Sequence, residues 1–347
     1  QTCALPISVL GGMMVDRDDI FHLLRLTETW TSFSYSVRIM VRHLLDKIVH
    51  PRSTRLVMGN AMIARMLYSY IERKGLLVTN TEVTQLLQNG NTIEGVVLQQ
   101  TLQSGGKIQR TIHSKGGVVM ASGGFNRHPT RRSTMLPRAK EAWCPGGPGH
   151  TGSAQDLALQ VGGQLGTGGL SHAFWAPVSI RQRADGSTAA FPHFVMDRGK
   201  PGMIAVDSQG QRYLNESTSY HLFGLAMQAH DRNVQSVPTW LVCDAGALKR
   251  YGLGMIRPGG KGLAPFLADG YLKRGTTLED LAKQLSIPEI NLRTTVERFN
   301  QFADKGVDED FKRGTTDYQR ANGDATWPGP NPCLGALRQG PFYAIAL

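Results

Sequence analysis

The sequence predicts an α/β fold with two domains, and three observations lead to this prediction. The chain has 347 residues, of which 41% are hydrophobic, so it can bury a substantial core and fill more than one domain. Charged residues make up only 19%, and 40 glycines are spread along the chain, which is typical of a loop-rich folded protein. Helix-type and strand-type hydrophobic patterns alternate in the first half of the chain.

The composition also excludes several functional classes. The formal charge is +11, from 38 basic and 27 acidic residues, but the basic residues occur in short sets without a long run. We therefore predict no nucleic-acid partner. The four cysteines show no Cys-x-x-Cys spacing, which predicts a reducing, cytoplasmic setting and no metal site. No stretch is apolar enough over its length to span a bilayer, and peripheral contact with a membrane stays open.

The first elements follow from periodicity. Residues 16–50 carry apolar side chains at spacings of three and four, which predicts mostly helix. A second helix is expected to begin at Asn60, acting as the N-cap, and to end at Gly75. Residues 76–78 are predicted to form a short strand after this helix.

A hairpin and a buried strand are predicted next. Residues 93–102 and 107–113 have strand character, and the Ser-Gly-Gly turn at 104–106 joins them. Residues 117–124 then form a hydrophobic run that ends in glycines, which predicts a buried strand followed by a turn.

The second half differs in character. Short strands and turns are expected from about residue 175 to 230, and residues 277–303 show a helical apolar stripe. The proline-rich residues 327–332 should be irregular, and residues 342–347 should form a strand. We interpret residues 1–7, QTCALPI, as a translated sequencing adapter, and we expect the natural protein to continue beyond both ends of this chain.

The turn at Ser122, Gly123 and Gly124 is a candidate nucleotide-binding segment. Without Cβ atoms the backbone can approach a phosphate closely and present its N–H groups. By itself the feature is weak, because many strands end in such a turn.

Four segments, in chain order, resemble FAD-dependent fumarate reductases and 3-ketosteroid Δ1-dehydrogenases. These are VVMASGGF (118–125), HTGSAQDLALQVGGQL (150–165), DRGKPGMIAVDSQGQRYLNESTSY (197–220) and GPFYAI (340–345). The resemblance implies a Rossmann-like FAD-binding domain with an inserted capping domain. It places the second part of the FAD domain at 8–172, the cap at 173–338, and the start of the return to the FAD domain at 339–347.

The implied FAD contacts are partial, because the family's first glycine-rich loop, GxGxxG, is not found in this chain. The contacts that the resemblance does carry over are Ala121, Ser122, Gly123, Gly124 and, beside the adenine, Val83. In the family's TGDG segment the aspartate falls on Ser153, so a polar contact with the cofactor there is in doubt.

Tyr220 is the candidate catalytic residue. Fumarate reductases carry a proton-donating arginine at this place and a carboxylate-binding histidine near Ala176, and both groups are missing here. Ketosteroid dehydrogenases place a tyrosine base there instead. Desaturation beside a ketone removes an α-proton while a hydride leaves the β-carbon, and a phenol with a pKa near 10 serves as base only in a suitable environment. The alternative is a tyrosine that packs with its ring and makes one hydrogen bond.

Four further residues are candidates for an apolar substrate pocket: Trp175, Phe194, His193 and His221. Core packing is the alternative for the two aromatic residues, and a structural hydrogen bond is the alternative for each histidine. Asp197 and Arg198 are interpreted as a salt bridge that shapes a turn, and Asn215 and Glu216 as residues that fix a loop.

The implied reaction is the α,β-desaturation of a small apolar ketone, with hydride transfer to FAD and an electron acceptor that no motif identifies. The first alternative is a fumarate-reductase-like enoate reductase that acts on another organic acid. The second, from a different class, is a non-catalytic cap fragment that only binds a ligand.

Overall fold

A computed structural model describes residues 8–9, 11–136, 140, 143–144, 146–166, 169, 171–194 and 197–347. The predicted adapter segment at 1–7 lies outside the described residues. The chain divides into two compact units, one formed by Gln1–Gly123 with Gly152–Leu165 and the other by Gly124–Thr151 with Gly166–Leu347. The domain boundaries predicted at residues 172 and 338 stay predictions.

The elements have the following bounds. The helices are α1 Arg17–Leu24, α2 Trp30–Val49, α3 Met58–Glu72, α4 Arg131–Met135, α5 Ser153–Gln160, α6 Tyr220–His230, α7 Ala245–Tyr251, α8 Ala264–Ala268, α9 Leu278–Leu285, α10 Glu289–Lys305 and α11 Asp317–Asn322. The strands are β1 Ser8–Val9, β2 Met13–Met14, β3 Thr81–Asn89, β4 Thr92–Thr101, β5 Lys107–His113, β6 Val178–Gln182, β7 Thr188–Pro192, β8 Met203–Val206, β9 Trp240–Cys243, β10 Lys273–Gly275 and β11 Phe342–Ala346.

The helical prediction for residues 16–50 is confirmed as two helices, α1 and α2. Asp16 caps α1 through a reciprocal capping box with Asp19, and Thr29 caps α2 by accepting a hydrogen bond from the Ser32 N–H at 3.1 Å. Arg55 lies in the loop after α2. Its guanidinium contacts the buried Asp19 carboxylate at 2.6 Å and so holds this loop against the start of α1.

The start of the next helix was predicted wrongly. Helix α3 begins at Met58 after an extended Val57, so Asn60 lies inside its first turn and is not the N-cap. Residues 76–78 do not form the predicted strand, since no strand of the described chain pairs with them. A β-strand forms by hydrogen bonding to a neighbouring strand, and a short apolar run does not by itself provide that neighbour.

The predicted hairpin is confirmed as β4 and β5, which pair from Gly95↔His113 to Thr101↔Lys107. Strand β3 was not predicted from the sequence. It pairs antiparallel with β4 and gives the strand order β3-β4-β5. Most of β3 is exposed, so it lacks the hydrophobic alternation that marks a half-buried strand. Helix α5 packs against β3.

Residues 117–124 do not form the predicted buried strand. They are irregular and largely exposed, and Val119 is 90% exposed. No described strand lies beside them, so the hydrophobic run has no ladder of hydrogen bonds to join and no sheet to be buried in.

The second unit is built on an antiparallel sheet with the order β10-β11-β9-β8. Alternation along β8 divides the core: Met203 and Ala205 face one side, and Ile204 and Val206 face the other. The first side packs against α6 and α7, and the second side packs against α9 and α10. Strand β11 confirms the strand predicted at 342–347 and lies between β10 and β9.

The helical stripe at 277–303 is confirmed as α9 and α10. Ser286, in the left-handed conformation at φ 56°, ends α9, and Pro288 precedes the first residue of α10. Residues 327–332 are irregular, as predicted. Among the described helices, none combines the length and apolar character that crossing a membrane requires.

Candidate active site

Tyr220 is the first residue of α6, in the second unit. Ser219 caps the helix, since its hydroxyl accepts a hydrogen bond from the Leu222 N–H at 3.3 Å. The Tyr220 side chain remains 36% exposed, and its ring makes an edge contact with Phe194 at a centroid distance of 5.1 Å. The structure therefore brings two of the predicted site residues together and leaves the tyrosine accessible.

Trp175 and His221 form a second pair. The backbone N–H of Trp175 donates to Nδ1 of His221 at 3.1 Å, so this nitrogen acts as an acceptor. The indole N–H of Trp175 donates to the Ser171 hydroxyl at 2.7 Å. Helix α6 approaches Trp175 closely at Gly224, where an added Cβ would lie 2.7 Å from the Trp175 Cβ. Only glycine permits this approach without a shift of the chain.

His193 was a candidate for the substrate pocket, with a structural hydrogen bond as the alternative. Its side chain is fully buried just after β7, with Nδ1 2.7 Å from the Asp197 carboxylate and Nε2 2.7 Å from the Ser179 hydroxyl. The Ser179 hydroxyl in turn bonds Tyr271 Oη at 2.7 Å. Both ring nitrogens are occupied, and this favours the structural alternative for His193.

The interpretation of Asp197 and Arg198 as a salt bridge to each other needs correction. The Asp197 carboxylate pairs with His193 and accepts the backbone N–H groups of Arg198 and Gly254. Burial opposes its charge, but the attraction of His193 and these hydrogen bonds lower the Asp197 pKa to about 2. The Arg198 guanidinium instead donates to the backbone carbonyls of His193, Phe194 and Glu216.

The loop before α6 is held by a buried ion network, which agrees with the interpretation of Asn215 and Glu216. Glu216 is fully buried and contacts Arg212 at 2.7 Å and Arg313 at 3.1 Å. Burial opposes its charge, but the two arginines hold the pKa of Glu216 below its usual value. Asn215 donates to the Phe311 carbonyl at 3.0 Å. Arg313 lies 97 positions from Glu216, so no local sequence signal could have identified it.

Other tyrosines of the second unit are less suited to act as a base. The hydroxyls of Tyr213, Tyr251 and Tyr271 bond to Thr239, Asp324 and Ser179, respectively. Burial raises the pKa of all three, in the case of Tyr271 to about 12. Tyr271 is only 7% exposed, whereas Tyr220 is accessible.

The predicted cofactor residues of the first unit lie on neighbouring segments. Gly123 adopts φ 101°, a conformation that favours glycine, and its carbonyl accepts a hydrogen bond from the Gln155 side chain at 3.1 Å. Ser153 is the first residue of α5, after Gly152 at φ 78°. Val83 lies on β3, the strand against which α5 packs.

This arrangement passes a simple test of fit for a nucleotide. Ala121, Ser122 and Gly123 are exposed main chain with little side-chain bulk, and the N-terminus of α5 lies in the same unit, whereas Gly124 belongs to the other unit. Backbone N–H groups and a helix N-terminus are the groups that phosphates bind in proteins. The site is thus compatible with a dinucleotide cofactor.

Comparison with known protein families defines the class. Residues 7–347 match the family described as an FAD binding domain, so the chain belongs to this family of flavoproteins. The family prediction made from four ordered segments is confirmed, and FAD is the cofactor that the family binds.

Two of the relatives are named as dehydrogenases of oxo compounds. The chain is 32% identical over 343 residues to 4-oxocyclohex-2-ene-1-carboxylate 5-dehydrogenase of Sinomonas cyclohexanicum, with 98% of this chain and 57% of that protein covered. It is 30% identical over 345 residues to 3-oxosteroid 1-dehydrogenase of Mycolicibacterium smegmatis, with 97% and 58% covered.

A solved structure shows the same fold. The 3-ketosteroid Δ1-dehydrogenase of Sterolibacterium denitrificans, in complex with 1,4-androstadiene-3,17-dione, superimposes with a TM-score of 0.78 at 28% identity. The match covers 98% of this chain and 60% of that one. The chain therefore spans well under two thirds of the length of these relatives.

Proposed function

We propose that this chain is part of an FAD-dependent dehydrogenase that desaturates a ketone between its α and β carbons. The observation that carries the proposal is the accessible Tyr220, held against Phe194 at the start of α6. The named dehydrogenase relatives support the reaction class. The finer architecture belongs to the same proposal: a Rossmann-like FAD-binding domain in residues 8–172, a cap in 173–338 and a return from 339.

The FAD would be held by the exposed main chain of Ala121, Ser122 and Gly123, with Ser153 and Val83 as further contacts in the same unit. When bound, FAD supplies the hydride acceptor. Ser153 stands where the family has an aspartate, so a hydroxyl replaces a carboxylate at that contact. The remaining steps belong to the side chains of the second unit.

In the proposed mechanism, Tyr220 Oη takes the proton from the α-carbon of the ketone. The Phe194 ring contacts the tyrosine ring in a T-shaped arrangement, and Trp175 adds apolar surface that excludes water from the substrate. His221 accepts the Trp175 N–H through Nδ1, which leaves a hydrogen on Nε2 for an acceptor atom of the substrate. The proposed substrate is a small apolar cyclic ketone.

The proposal is tested by assaying a protein that contains this chain, with a cyclic ketone as the substrate. Tyr220→Phe should retain flavin absorbance at about 450 nm, roughly where oxidised flavins absorb, but lose turnover by two or more orders of magnitude. Tyr68→Phe is the control, since Tyr68 on α3 is 65% exposed and lies outside the proposed site, so turnover should change little.

Each other outcome contradicts a defined part of the proposal. Unchanged turnover in Tyr220→Phe would refute the assignment of the base. Reduction of an unsaturated acid without desaturation of a ketone would indicate an enoate reductase. Ligand binding by the folded protein without any flavin would indicate a non-catalytic binding module.

A further inference from the structure

A buried chain of hydrogen bonds surrounds His193. It runs from the Asp197 carboxylate through His193 and the Ser179 hydroxyl to Tyr271 Oη, with each of the three links at 2.7 Å. Asp197, His193 and Ser179 are at most 3% exposed, so water does not compete for these bonds. The mechanism proposed above makes no use of this hydrogen-bond network.

Chemistry fixes the donor at each end of this hydrogen-bond network. The backbone N–H of Met255 can only donate, so Tyr271 Oη accepts from it at 3.1 Å, and Tyr271 Oη also shares a hydrogen bond with the Ser179 hydroxyl. The Asp197 carboxylate can only accept, so His193 Nδ1–H donates to it, and His193 Nε2 is bonded to the Ser179 hydroxyl. In this arrangement neither nitrogen of His193 is available to a substrate.

Hydrogen bonds also hold the backbone at His193 and Phe194. The His193 N–H donates to the Pro177 carbonyl at 2.8 Å, and its own carbonyl accepts from Arg198 Nε at 3.0 Å. Arg198 also binds the Phe194 carbonyl, so the backbone is held on both sides of the peptide that joins the two residues. The Phe194 ring then meets the Tyr220 ring edge to face, with an interplanar angle of 72°.

We propose that His193 is a positioning residue for Tyr220 and acts through Phe194. The buried imidazole anchors the end of β7, this anchor places the Phe194 ring, and the ring sets the orientation of the tyrosine. The catalytic consequence rests on the proposed function of Tyr220, whereas the structural link between the two residues does not.

The structural link is tested on this chain without substrate. Tyrosines are replaced by 3-fluorotyrosine, and the Tyr220 resonance is assigned by its loss in Tyr220→Phe. We expect this resonance to shift or broaden in His193→Phe, and to return toward its original position in His193→Asn, which keeps a donor for Asp197. His113→Phe, at an exposed residue of β5, should leave it unchanged. An unmoved resonance in His193→Phe overturns the proposal.

Ser179→Ala provides a second test in case a His193 variant does not fold. It removes the partner of Nε2 and retains the Asp197 bond, so it should shift the Tyr220 resonance in the same direction by a smaller amount. If His193→Phe does not fold, a Tyr220 resonance that stays in place in a folded Ser179→Ala contradicts the link.

The catalytic consequence is tested by a double-mutant cycle. His193→Phe should lower kcat on the order of tenfold to a hundredfold with little change in KM, because a misplaced base loses alignment. In a Phe194→Ala background, His193→Phe should not lower kcat any further. Additive losses, or a pH profile of kcat that loses a limb in His193→Phe, would mean that His193 acts directly. Full turnover in Tyr220→Phe refutes the base assignment while the fluorine result still stands.

Discussion

The Asp197 carboxylate is a buried negative charge in the second unit. Its carboxylate is 3% exposed and is held by His193 and by the backbone N–H groups of Gly254 and Arg198. Its pKa in the folded protein is about 2, below the ordinary value of 3.8. A lowered pKa means that the folded state favours the ionised form, so this carboxylate contributes stability above pH 3.8 that is lost as the pH falls toward 2.

We therefore expect Asp197→Asn to be destabilised in a way that depends on pH. The pKa difference corresponds to about 2 kcal/mol at neutral pH, and the gap in unfolding free energy between wild type and variant should narrow by about 1 kcal/mol between pH 6 and pH 3. Urea unfolding at several pH values measures this gap. Asp304→Asn is the control, since Asp304 forms an exposed pair with Arg338 that salt should screen. A gap that does not change with pH contradicts the assignment.

Single residues were predictable where a local motif carried them. Tyr220 and the turn at Gly123 stand in segments that resemble a known family, so both could be identified from the sequence. Ser179 and Tyr271, which complete the His193 network, are 92 positions apart and have no motif. Such partners depend on how the hairpin β6–β7 lies on the rest of the unit, and that is determined by folding rather than by spacing.

At the scale of elements, α10 shows how strongly one helical face supports the sheet. Leu292, Val296 and Phe299 recur at the spacing of a helical stripe and are at most 1% exposed, whereas Ile290 on the opposite face is 58% exposed. The buried face packs on Ile204 and the other residues of the same core cluster. Most of the free energy that this helix contributes should come from that face.

We expect Leu292→Ala to lower the unfolding free energy by about 2–5 kcal/mol, because it removes buried methyl groups and leaves a cavity. Ile290→Ala is the matched control on the same helix and should change it by at most about 0.5 kcal/mol. The urea midpoint of the transition that unfolds the second unit, followed by far-UV circular dichroism, separates the two. Equal effects of the two changes would show that α10 is not packed as described.

Elements whose stability comes from their own pattern were predictable, and those that depend on partners were not. Helices α2 and α10 carry long apolar stripes, and the hairpin β4–β5 carries its own turn. Residues 117–124 have the apolar run of a buried strand but no neighbouring strand in the described chain. Periodicity alone identifies what a segment prefers, and a sheet is needed to realise that preference.

At the scale of the whole molecule, helix α3 exposes an unusual amount of apolar surface. None of its residues is buried, and Met62, Ile63, Met66 and Ile71 are each more than half exposed. Contiguous apolar surface of this kind is uncommon on folded monomers. The formal charge of +11 works against it, because like charges repel and keep molecules apart.

These opposing effects predict a chain whose association depends on salt. Purified chain should bind a hydrophobic fluorescent dye and should associate more strongly as added salt screens its charge. The double change Ile63→Glu with Met66→Lys leaves the net charge unchanged and breaks the apolar stripe, so it should reduce both dye fluorescence and association. Ile290→Glu, at a single exposed residue of α10, should reduce neither appreciably. Fluorescence titration and analytical ultracentrifugation at low and high salt measure the two effects. If the double change leaves both unaltered, the apolar face of α3 is already covered in solution, and the stripe on this helix is a packing surface rather than an exposed one.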